Sequence, residues 1–245
     1  VALAKSQQCR IPIRLVKGAY WDSEIKRAQV NGLTDYPVFT HKTVTDFSYL
    51  ACSKLILSYP DELYPQFATH NAHTVAAILQ LGKKHPGFEF QRLHGMGEQL
   101  YRQILKQTHD HNPCRIYAPV GCYQDLLPYL VRRLLENGAN TSFINQVENP
   151  DINIEKIIAD PVNKLKNETK LTTQILLAKN LFGKQRINSE GINLADLGVI
   201  AQLQQSLETF KQQTWQAAPL VNGELVSGFE HNSYNPAHNQ HIVGK

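Results

Sequence analysis

Residues 115–138 read RIYAPVGCYQDLLPYLVRRLLENG and contain the clearest structural unit in the chain. The first six residues, Arg115–Val120, are strand-like, and the segment that follows predicts a helix over Gln124–Asn137. Its apolar residues recur at helical spacing and form one stripe, which consists of Leu126, Leu127, Leu130, Leu134 and Leu135. A strand followed by an amphipathic helix is the building block of a parallel sheet.

Similar units precede this one along the chain. The predicted strands are Ile11–Val16, Gln66–Thr69 and Phe88–Leu93. The predicted helices are Trp21–Val30, Asp46–Ser58, Asn71–Leu81 and Gly97–Gln107. Consecutive strand–helix units predict an α/β fold with a parallel sheet, either half of a (β/α)8 barrel or a small open doubly wound sheet. Because no G-x-G-x-x-G follows a predicted strand, a dinucleotide-binding open sheet is not supported.

The remaining third of the chain has a different pattern. Residues 145–191 are polar and irregular, with weak helical patches such as Thr172–Leu181, and they predict a linker or docking segment. A helix is predicted over Leu194–Gln213, and short strands and turns from Pro219 onward. The chain starts at Val1 without an initiator Met and stops at Lys245 within a strand pattern, so we expect both ends to lie inside a longer protein.

Composition excludes several classes of function. The 245 residues are 42% hydrophobic and 19% charged, which is typical of a globular protein. The net charge of +4 comes from scattered Lys and Arg, so no clustered basic face indicates nucleic-acid binding. No apolar stretch approaches the roughly 18 residues that a membrane span needs. The four cysteines form no C-x-x-C pair and are expected to be free thiols in a reducing compartment.

Polar residues cluster where the predicted strands end. The first strand ends with Arg14 and leads to Lys17, and the second ends at Thr69-His70-Asn71. The third carries Gln91 and the fourth carries Tyr117. Functional groups of parallel strand–helix folds collect at the carboxyl ends of the strands. Strand alternation also places Phe88 and Phe90 on one face of the third strand, with Glu89, Gln91 and Leu93 on the other. The sequence therefore predicts a functional rim, with an amide available to a planar heterocycle.

Lys17 has two specific interpretations and a simpler one. It could form a Schiff base as in an aldolase, or it could be a cation facing a phosphate or flavin. The simpler interpretation is a solvated strand end. The small residues Gly18 and Ala19 leave room for a large flat ligand, which favours the cofactor interpretation.

Two other groups could bind anions or metals. The Thr69–Asn71 segment precedes a helix, where free backbone N–H groups favour an anion. His70 and His73 have the spacing of a metal site, but no third ligand has suggestive spacing, so we predict no metal. Arg132 and Arg133 could grip a carboxylate, or they could lie on an exposed helix where Glu136 forms an i,i+4 charge pair.

Six longer stretches together resemble proline dehydrogenase, in the form found in the bifunctional proline utilization A family. They are Arg14–Lys26, Tyr36–Thr40, Gln66–Asn71, Phe88–Gly97, Cys114–Gly121 and Tyr129–Ser142. The tail resembles the opening of an aldehyde dehydrogenase through Val221-Asn-Gly, Asn235-Pro-Ala and Val243-Gly. Where the family usually reads Thr-Arg-Lys, this chain has Thr40-His41-Lys42, which puts a weaker, pH-dependent cation at that position.

The resemblance implies a domain organisation. Residues 1–146 would form the C-terminal half of a proline dehydrogenase (β/α)8 barrel, which carries the FAD and proline site. Residues 147–213 would be a linker and helical segment, and residues 214–245 the start of an aldehyde dehydrogenase module. A catalytic Lys and Asp on earlier strands would precede Val1, while the second module's catalytic Cys and its NAD site would follow Lys245.

The resemblance also implies roles for named residues. Arg14 would lie near N5 of FAD, and the other cofactor contacts would be Lys17, Gly18, Ala19, Thr40, Thr69, His70, Asn71, Gln91 and Glu136. The proline pocket would be shaped by Tyr20, Leu93 and Tyr117, and its carboxylate bound by Arg132 and Arg133. The residues expected to act in catalysis are Arg14, Tyr117, Arg132 and Arg133.

The implied activity is oxidation of L-proline to Δ1-pyrroline-5-carboxylate. The electrons would pass to a membrane quinone, which implies peripheral contact with the inner face of the cell membrane. The cytoplasmic parent protein would also oxidise this product to L-glutamate with NAD. The parent protein could form a homo-oligomer. The chain alone is expected to be inactive. Two alternatives are kept: a Schiff-base aldolase that uses Lys17, and a non-catalytic α/β binding module.

Overall fold

In a computed structural model, the strand–helix pattern forms a parallel sheet whose neighbouring strands follow one another in chain order. The structure describes residues 1–108, 112–138, 146, 149–167, 175–211 and 213–245, and the side chains of residues 108 and 136–138 are also outside this description. Two compact units are present: residues 1–26 with 36–176, and residues 27–35 with 177–245. None of the helices in the described ranges is long and apolar enough to cross a membrane.

The strands of the sheet are β1 (Ile11–Val16), β2 (Leu63–Ala68), β3 (Glu89–Leu93) and β4 (Cys114–Tyr117). The helices described up to residue 167 include α1 (Ala2–Ser6), α2 (Trp21–Val30), α3 (Lys42–Leu57), α4 (Ala72–Leu81), α5 (Glu98–Thr108), α6 (Tyr123–Gly138), α7 (Ile154–Ile157) and α8 (Pro161–Asn167). The predicted α/β fold with a parallel sheet is confirmed, and the predicted bounds of β1 and α2 agree with the structure.

Five strand ends differ from the prediction, three of them by one residue, and proline accounts for the two larger shifts. β2 starts at Leu63 rather than Gln66, although it contains Pro65, which lacks an N–H donor. β1 pairs with β2 from Leu63 on, whereas β3 pairs with β2 only from Gln66 on. Pro65 therefore lies where β2 has a partner strand on one side only, and there a proline is tolerated. β4 ends at Tyr117 instead of Val120, since Pro119 follows and the pairing with β3 stops at Leu93.

Helix boundaries also shift. α3 begins at Lys42, four residues before the predicted Asp46, because its first turn is mostly polar and Val44 is its single apolar residue. Asn71 is the N-cap of α4 rather than its first residue, and its side chain accepts a hydrogen bond from the Thr74 N–H. α5 and α6 agree with prediction within one residue at each end.

The core of the first unit lies between the sheet and helices α3, α4 and α5. Phe88 lies edge-on to both Phe67 and Phe90, with ring centroids 5.6 Å apart in each case. The other buried members of this cluster are Tyr49, Val75, Ile78, Tyr101 and Ile104. Glu89 and Gln91 lie on the opposite face of β3 and contact polar side chains of the neighbouring strands. The predicted alternation of β3 is therefore confirmed.

The second unit contains a 3-10 turn at Ala178–Asn180 and helix α9 (Leu197–Lys211). α9 starts three residues after the predicted Leu194 because Asp196 Oδ1 accepts the N–H of Gly198 at 2.8 Å and so caps the helix. Of the weak helical patch predicted over 172–181, only the 3-10 turn is seen, and 172–174 lie outside the described residues.

The C-terminal part of this unit consists of antiparallel pairs. Strands β5 (Leu220–Val221) and β6 (Glu224–Leu225) are joined by Asn222 and Gly223, both with positive φ, at 52° and 85°. This is the geometry that Asn-Gly turns favour in hairpins. Strands β7 (Ser233–Asn235) and β8 (His238–Gly244) form the second pair. The predicted change to short strands and turns after Pro219 is confirmed.

Candidate functional site

Three of the predicted site residues meet near the carboxyl ends of the strands. Arg14 on β1 donates its Nε–H to Gln91 Oε1 on β3 at 2.8 Å. The same guanidinium lies 5.2 Å from the ring centroid of Tyr117 on β4, within the range of a cation–π contact. One cation therefore contacts an amide from one strand and a phenol ring from another.

A buried carboxylate that was not predicted as a site residue lies beside them. Glu89 is 2% exposed, and its Oε1 accepts hydrogen bonds from Gln66 Nε2 at 2.9 Å and Gln91 Nε2 at 2.8 Å. Arg115 adds a bidentate pair, Nε to Oε1 at 2.9 Å and Nη2 to Oε2 at 2.8 Å. The hydrogen bonds from Arg115, followed by those from the two glutamines, hold the pKa of Glu89 below its usual range against the opposing effect of burial. Glu89 is therefore ionised in the fold.

Lys17 forms an ion pair with Asp46 of α3, which was also not predicted. Lys42 Nζ lies 2.7 Å from the second oxygen of Asp46, so one carboxylate holds two lysines. Burial lowers the pKa of Lys17 more than Asp46 restores it. For Asp46, burial would raise the pKa, but the charges and hydrogen bonds of the two lysines leave it lowered.

The Thr69–Asn71 segment is fixed by local hydrogen bonds. Thr69 Oγ1 accepts the Asn71 N–H at 3.1 Å, and Asn71 caps α4. His70 Nε2 accepts the Leu93 N–H at 3.1 Å, and burial, aided by the charges of Arg92 and Arg133, lowers its pKa to about 4. His70 is therefore a neutral acceptor at physiological pH, with its ring turned to β3.

The two arginines of α6 contact aromatic rings. The guanidinium of Arg132 lies 5.1 Å from the ring centroid of Tyr20, and that of Arg133 lies 5.2 Å from the Tyr129 ring. The Nε of Arg132 is buried and donates to no other residue in the described ranges. A buried donor without an acceptor is costly in a folded protein, so this atom suits an anionic ligand. The side chain of Glu136, which was predicted to form a charge pair on this helix, lies outside the described residues.

The other predicted contacts occupy the same end of the sheet or the loops beside it. Leu93 is buried and pairs in register with Tyr117, whereas Ala19 and Thr40 are half-buried. A side chain at Gly18 would meet no atom within 4 Å, so the segment after β1 borders open space. Among the described residues, no group of three or more His, Cys, Asp or Glu side chains is arranged to hold a metal ion.

A polar cavity of about 120 Å³ lies beside Asn71 and Asp46, at the N-terminal ends of α3 and α4. Its lining includes two lysines, Lys42 and Lys164, together with His73 and the hydroxyl residues Thr43 and Thr74. Free N–H groups at helix N-termini and nearby lysines make such a cavity suitable for a phosphate-bearing ligand.

Comparison with known proteins identifies the family. The family description "Proline dehydrogenase" matches residues 1–146. The bifunctional protein PutA of Salmonella typhimurium is 49% identical over 257 residues, which cover 100% of this chain and 20% of that protein. The chain thus spans about a fifth of the length of the curated PutA relatives that it matches.

Solved structures agree with this match. A mutant of Bradyrhizobium japonicum proline utilization A is 46% identical, with a TM-score of 0.76 over 89% of this chain and 22% of that one. Proline utilization A from Bdellovibrio bacteriovorus, inactivated by N-propargylglycine, is 29% identical, with a TM-score of 0.78 over 99% of this chain and 25% of that one. Since the family match covers more than half of the residues, the chain belongs to the proline dehydrogenase family.

Proposed function

We propose that this chain forms the FAD- and proline-binding part of a larger bifunctional enzyme that oxidises L-proline to Δ1-pyrroline-5-carboxylate. The contact of Arg14 with Gln91 and Tyr117 is the observation that carries the proposal, because it gathers a fixed cation, an amide and a phenol at one end of the sheet. Family membership supplies the reaction class.

The described residues fit FAD on chemical grounds. The cofactor has an extended pyrophosphate and a flat ring, and the site offers lysines, two helix N-termini and the open space beside Gly18. Arg14, Lys17, Gly18, Ala19 and Gln91 would hold the ring end. The other cofactor contacts would be Thr40, Thr69, His70 and Asn71. The family resemblance adds Glu136 to them. Bound FAD would accept the hydride that proline loses from C5.

The protein's own residues would position the substrate. Arg132 and Arg133 would bind the proline carboxylate through charge-assisted hydrogen bonds, and the buried Nε of Arg132 is ready for such an acceptor. Tyr20, Leu93 and Tyr117 would enclose the apolar ring and exclude water. Arg14, held by Gln91, would keep positive charge beside the ring that gains electrons.

The wider context rests on the PutA relatives. We place residues 1–146 in the C-terminal half of a (β/α)8 barrel, residues 147–213 in a linker and helical segment, and residues 214–245 at the start of an aldehyde dehydrogenase module. The parent protein would pass electrons to a membrane quinone from the cytoplasmic side and would convert the product to L-glutamate with NAD.

A Schiff-base aldolase is the second candidate. The lowered pKa of Lys17 would help an amine nucleophile, but its ion pair with Asp46 stabilises the ammonium form, which cannot attack a carbonyl. Borohydride trapping in the presence of aldehydes and ketones tests this candidate. A covalent adduct on Lys17 found by peptide mass spectrometry would favour the aldolase.

The visible spectrum of the purified full-length protein tests the main proposal. We expect flavin absorbance that is bleached when proline is added without oxygen and returns when a soluble quinone is added. A colourless protein, or a flavin that proline does not reduce, would contradict the proposal. A protein without flavin or proline turnover would instead fit a binding module.

Replacing Arg14 with Met tests the assignment of its cation. The variant should bind FAD, but we expect a more negative flavin potential and slower proline oxidation, because a positive charge beside the reduced ring is lost. Redox titration with a reference dye measures the potential without turnover. An unchanged potential and rate would show that Arg14 does not face the flavin.

A further inference from the structure

Glu89 connects to Arg14 through one intervening side chain. Glu89 Oε1 accepts the amide N–H of Gln91 at 2.8 Å, and Gln91 Oε1 accepts the Nε–H of Arg14 at 2.8 Å. All three side chains project from the same face of the sheet. Arg14 donates no other hydrogen bond within the described part of the chain.

The chemistry of the amide makes this connection directional. A glutamine side chain has one end that donates and one that accepts. An ionised carboxylate only accepts, so Glu89 forces the NH2 group of Gln91 towards itself and the carbonyl oxygen towards Arg14. Without Glu89, the amide could turn over and present its NH2 group to the guanidinium, which has no acceptor to offer.

Burial and hydrogen bonds fix the orientation of the Glu89 carboxylate. Glu89 is almost fully enclosed, and its oxygens receive four close hydrogen bonds from Gln66, Gln91 and Arg115, with the Tyr64 hydroxyl a more distant donor at 3.4 Å. Such a carboxylate cannot rotate without losing several donors at once. The guanidinium of Arg14 is thereby fixed by Nε, which leaves its Nη side for a ligand.

We propose that Glu89 is a positioning residue, which sets the Gln91 amide and through it aligns the Arg14 guanidinium with the flavin. This inference rests on the proposed function, since it assumes that Arg14 faces FAD. The carboxylate acts by its reach and its accepting oxygen, not by its charge.

Two conservative variants of the full-length FAD-bound protein separate reach from charge. Glu89→Asp keeps the charge but withdraws the carboxylate by one methylene, so the bond to Gln91 is lost. Glu89→Gln keeps the reach and one accepting oxygen, which can occupy the Oε1 position. Its NH2 group then faces the Nη2 of Arg115, which is free to move because that side chain is 63% exposed.

The flavin potential is the main measurement, with kcat/KM for proline beside it. Glu89→Asp should shift the potential in the negative direction seen for Arg14→Met and lower kcat/KM about tenfold. Glu89→Gln should stay close to wild type. In a Glu89→Asp, Arg14→Met double variant, the aspartate should add nothing to the effect of the methionine.

Gln66→Met is the matched control. It removes the other amide that donates to Glu89 Oε1 and leaves the bond to Gln91 in place. We expect a similar loss of thermal stability to that of Glu89→Asp but no shift in potential.

The outcomes are distinguishable. If Arg14→Met shifts the potential and Glu89→Asp does not, the positioning role is wrong while the proposed function stands. If Glu89→Gln shifts it and Glu89→Asp does not, the charge matters and the positioning role is again wrong. If Arg14→Met itself has no effect, the assignment of Arg14 fails first.

Discussion

At the scale of single residues, the cations of the site fall into two groups. Lys17 and Arg115 face carboxylates, Asp46 and Glu89, which offset their charge. Arg14 and Arg132 lie over aromatic rings, which attract a cation without occupying its hydrogen-bond donors. The second group therefore retains its charge for an anion, together with the Nη donors of Arg14 and the buried Nε of Arg132. A carboxylate such as that of proline is a ligand of that kind.

Arg133→Met should raise KM for proline with little effect on stability. A charge-assisted hydrogen bond to a carboxylate contributes about 1.5–3 kcal/mol, so we expect KM to rise about 10- to 100-fold. The matched control is Arg102→Met on α5, which removes an exposed arginine paired with Glu98. Steady-state kinetics and thermal melts of both variants decide the question. Normal KM with a small change in melting temperature would assign Arg133 to a merely structural role.

His70 should make stability depend on pH. Its folded-state pKa of about 4 lies below that of an unfolded histidine, because burial and the charges of Arg92 and Arg133 disfavour the imidazolium. The unfolded chain therefore binds the proton first as the pH falls. Stability that is present above about pH 6.5 is lost as the pH falls towards 4, by on the order of 3 kcal/mol.

The comparison of wild type with His70→Gln tests this prediction. The Gln side chain can accept the Leu93 N–H but does not titrate, so the difference in melting temperature between the two proteins should shrink or reverse as the pH falls from about 7.5 to 5.5. Parallel curves across that range would rule out the buried neutral histidine.

The sequence predicted Arg14, Gln91 and Tyr117 as site residues because each lies in a recognisable strand, and the structure brings their side chains into contact. Sequence reasoning missed Asp46 and Glu89, although both contact predicted residues. A carboxylate on a helix or in a strand gives no local signal, since its role depends on partners far away in sequence. Lys17 lies 29 positions before Asp46, and Glu89 lies 26 positions before Arg115.

At the scale of secondary-structure elements, the two faces of β3 have opposite roles. Phe88, just before the strand, and Phe90 pack into the aromatic core under α4 and α5, whereas Glu89 and Gln91 form the polar network. A shift of the strand by one residue would exchange these faces. The alternation of β3 was therefore predictable. The strand ends near Pro65 and Pro119 depended on strand pairing, and α3 begins at Lys42 in a mostly polar turn without a side-chain cap, so the sequence pattern does not display these ends.

Gly82→Ala should destabilise the contact between α4 and β3. A Cβ at Gly82 would lie 2.4 Å from Cε1 of Phe88, and that ring cannot retreat because Phe67 and Phe90 pack against it. Overpacking costs about 1–3 kcal/mol, which exceeds the roughly 0.4–1 kcal/mol that a less flexible unfolded chain would contribute. Hydrogen exchange of peptides covering β3 in the full-length protein measures the change.

Gly87→Ala is the control for this prediction. A Cβ there meets no atom within 4 Å, so the variant should exchange like wild type or slightly more slowly. Equal protection in both variants would mean that the core accommodates the added methyl group.

At the scale of the whole molecule, the first unit leaves surfaces that a stable domain normally covers. Within the described residues, β1 and β4 each pair with a strand on one side only. Helix α6 exposes apolar side chains, with Leu134 and Leu135 at 70% and 69%. The same end of the unit carries the arginines predicted to bind substrate, so the exposed surfaces and the candidate site are close together.

The chain of residues 1–245, purified alone, should therefore be a poor enzyme. Open strand edges and an exposed leucine stripe favour aggregation, and a flavin held by this unit alone in the proposed site would be exposed to water. We expect low solubility, little bound FAD and no proline-dependent reduction of a quinone-like dye, whereas the full-length protein assayed in parallel should reduce the dye. Turnover by the isolated chain would mean that these residues already contain a complete catalytic site, and that the uncovered edges of β1 and β4 have no catalytic consequence.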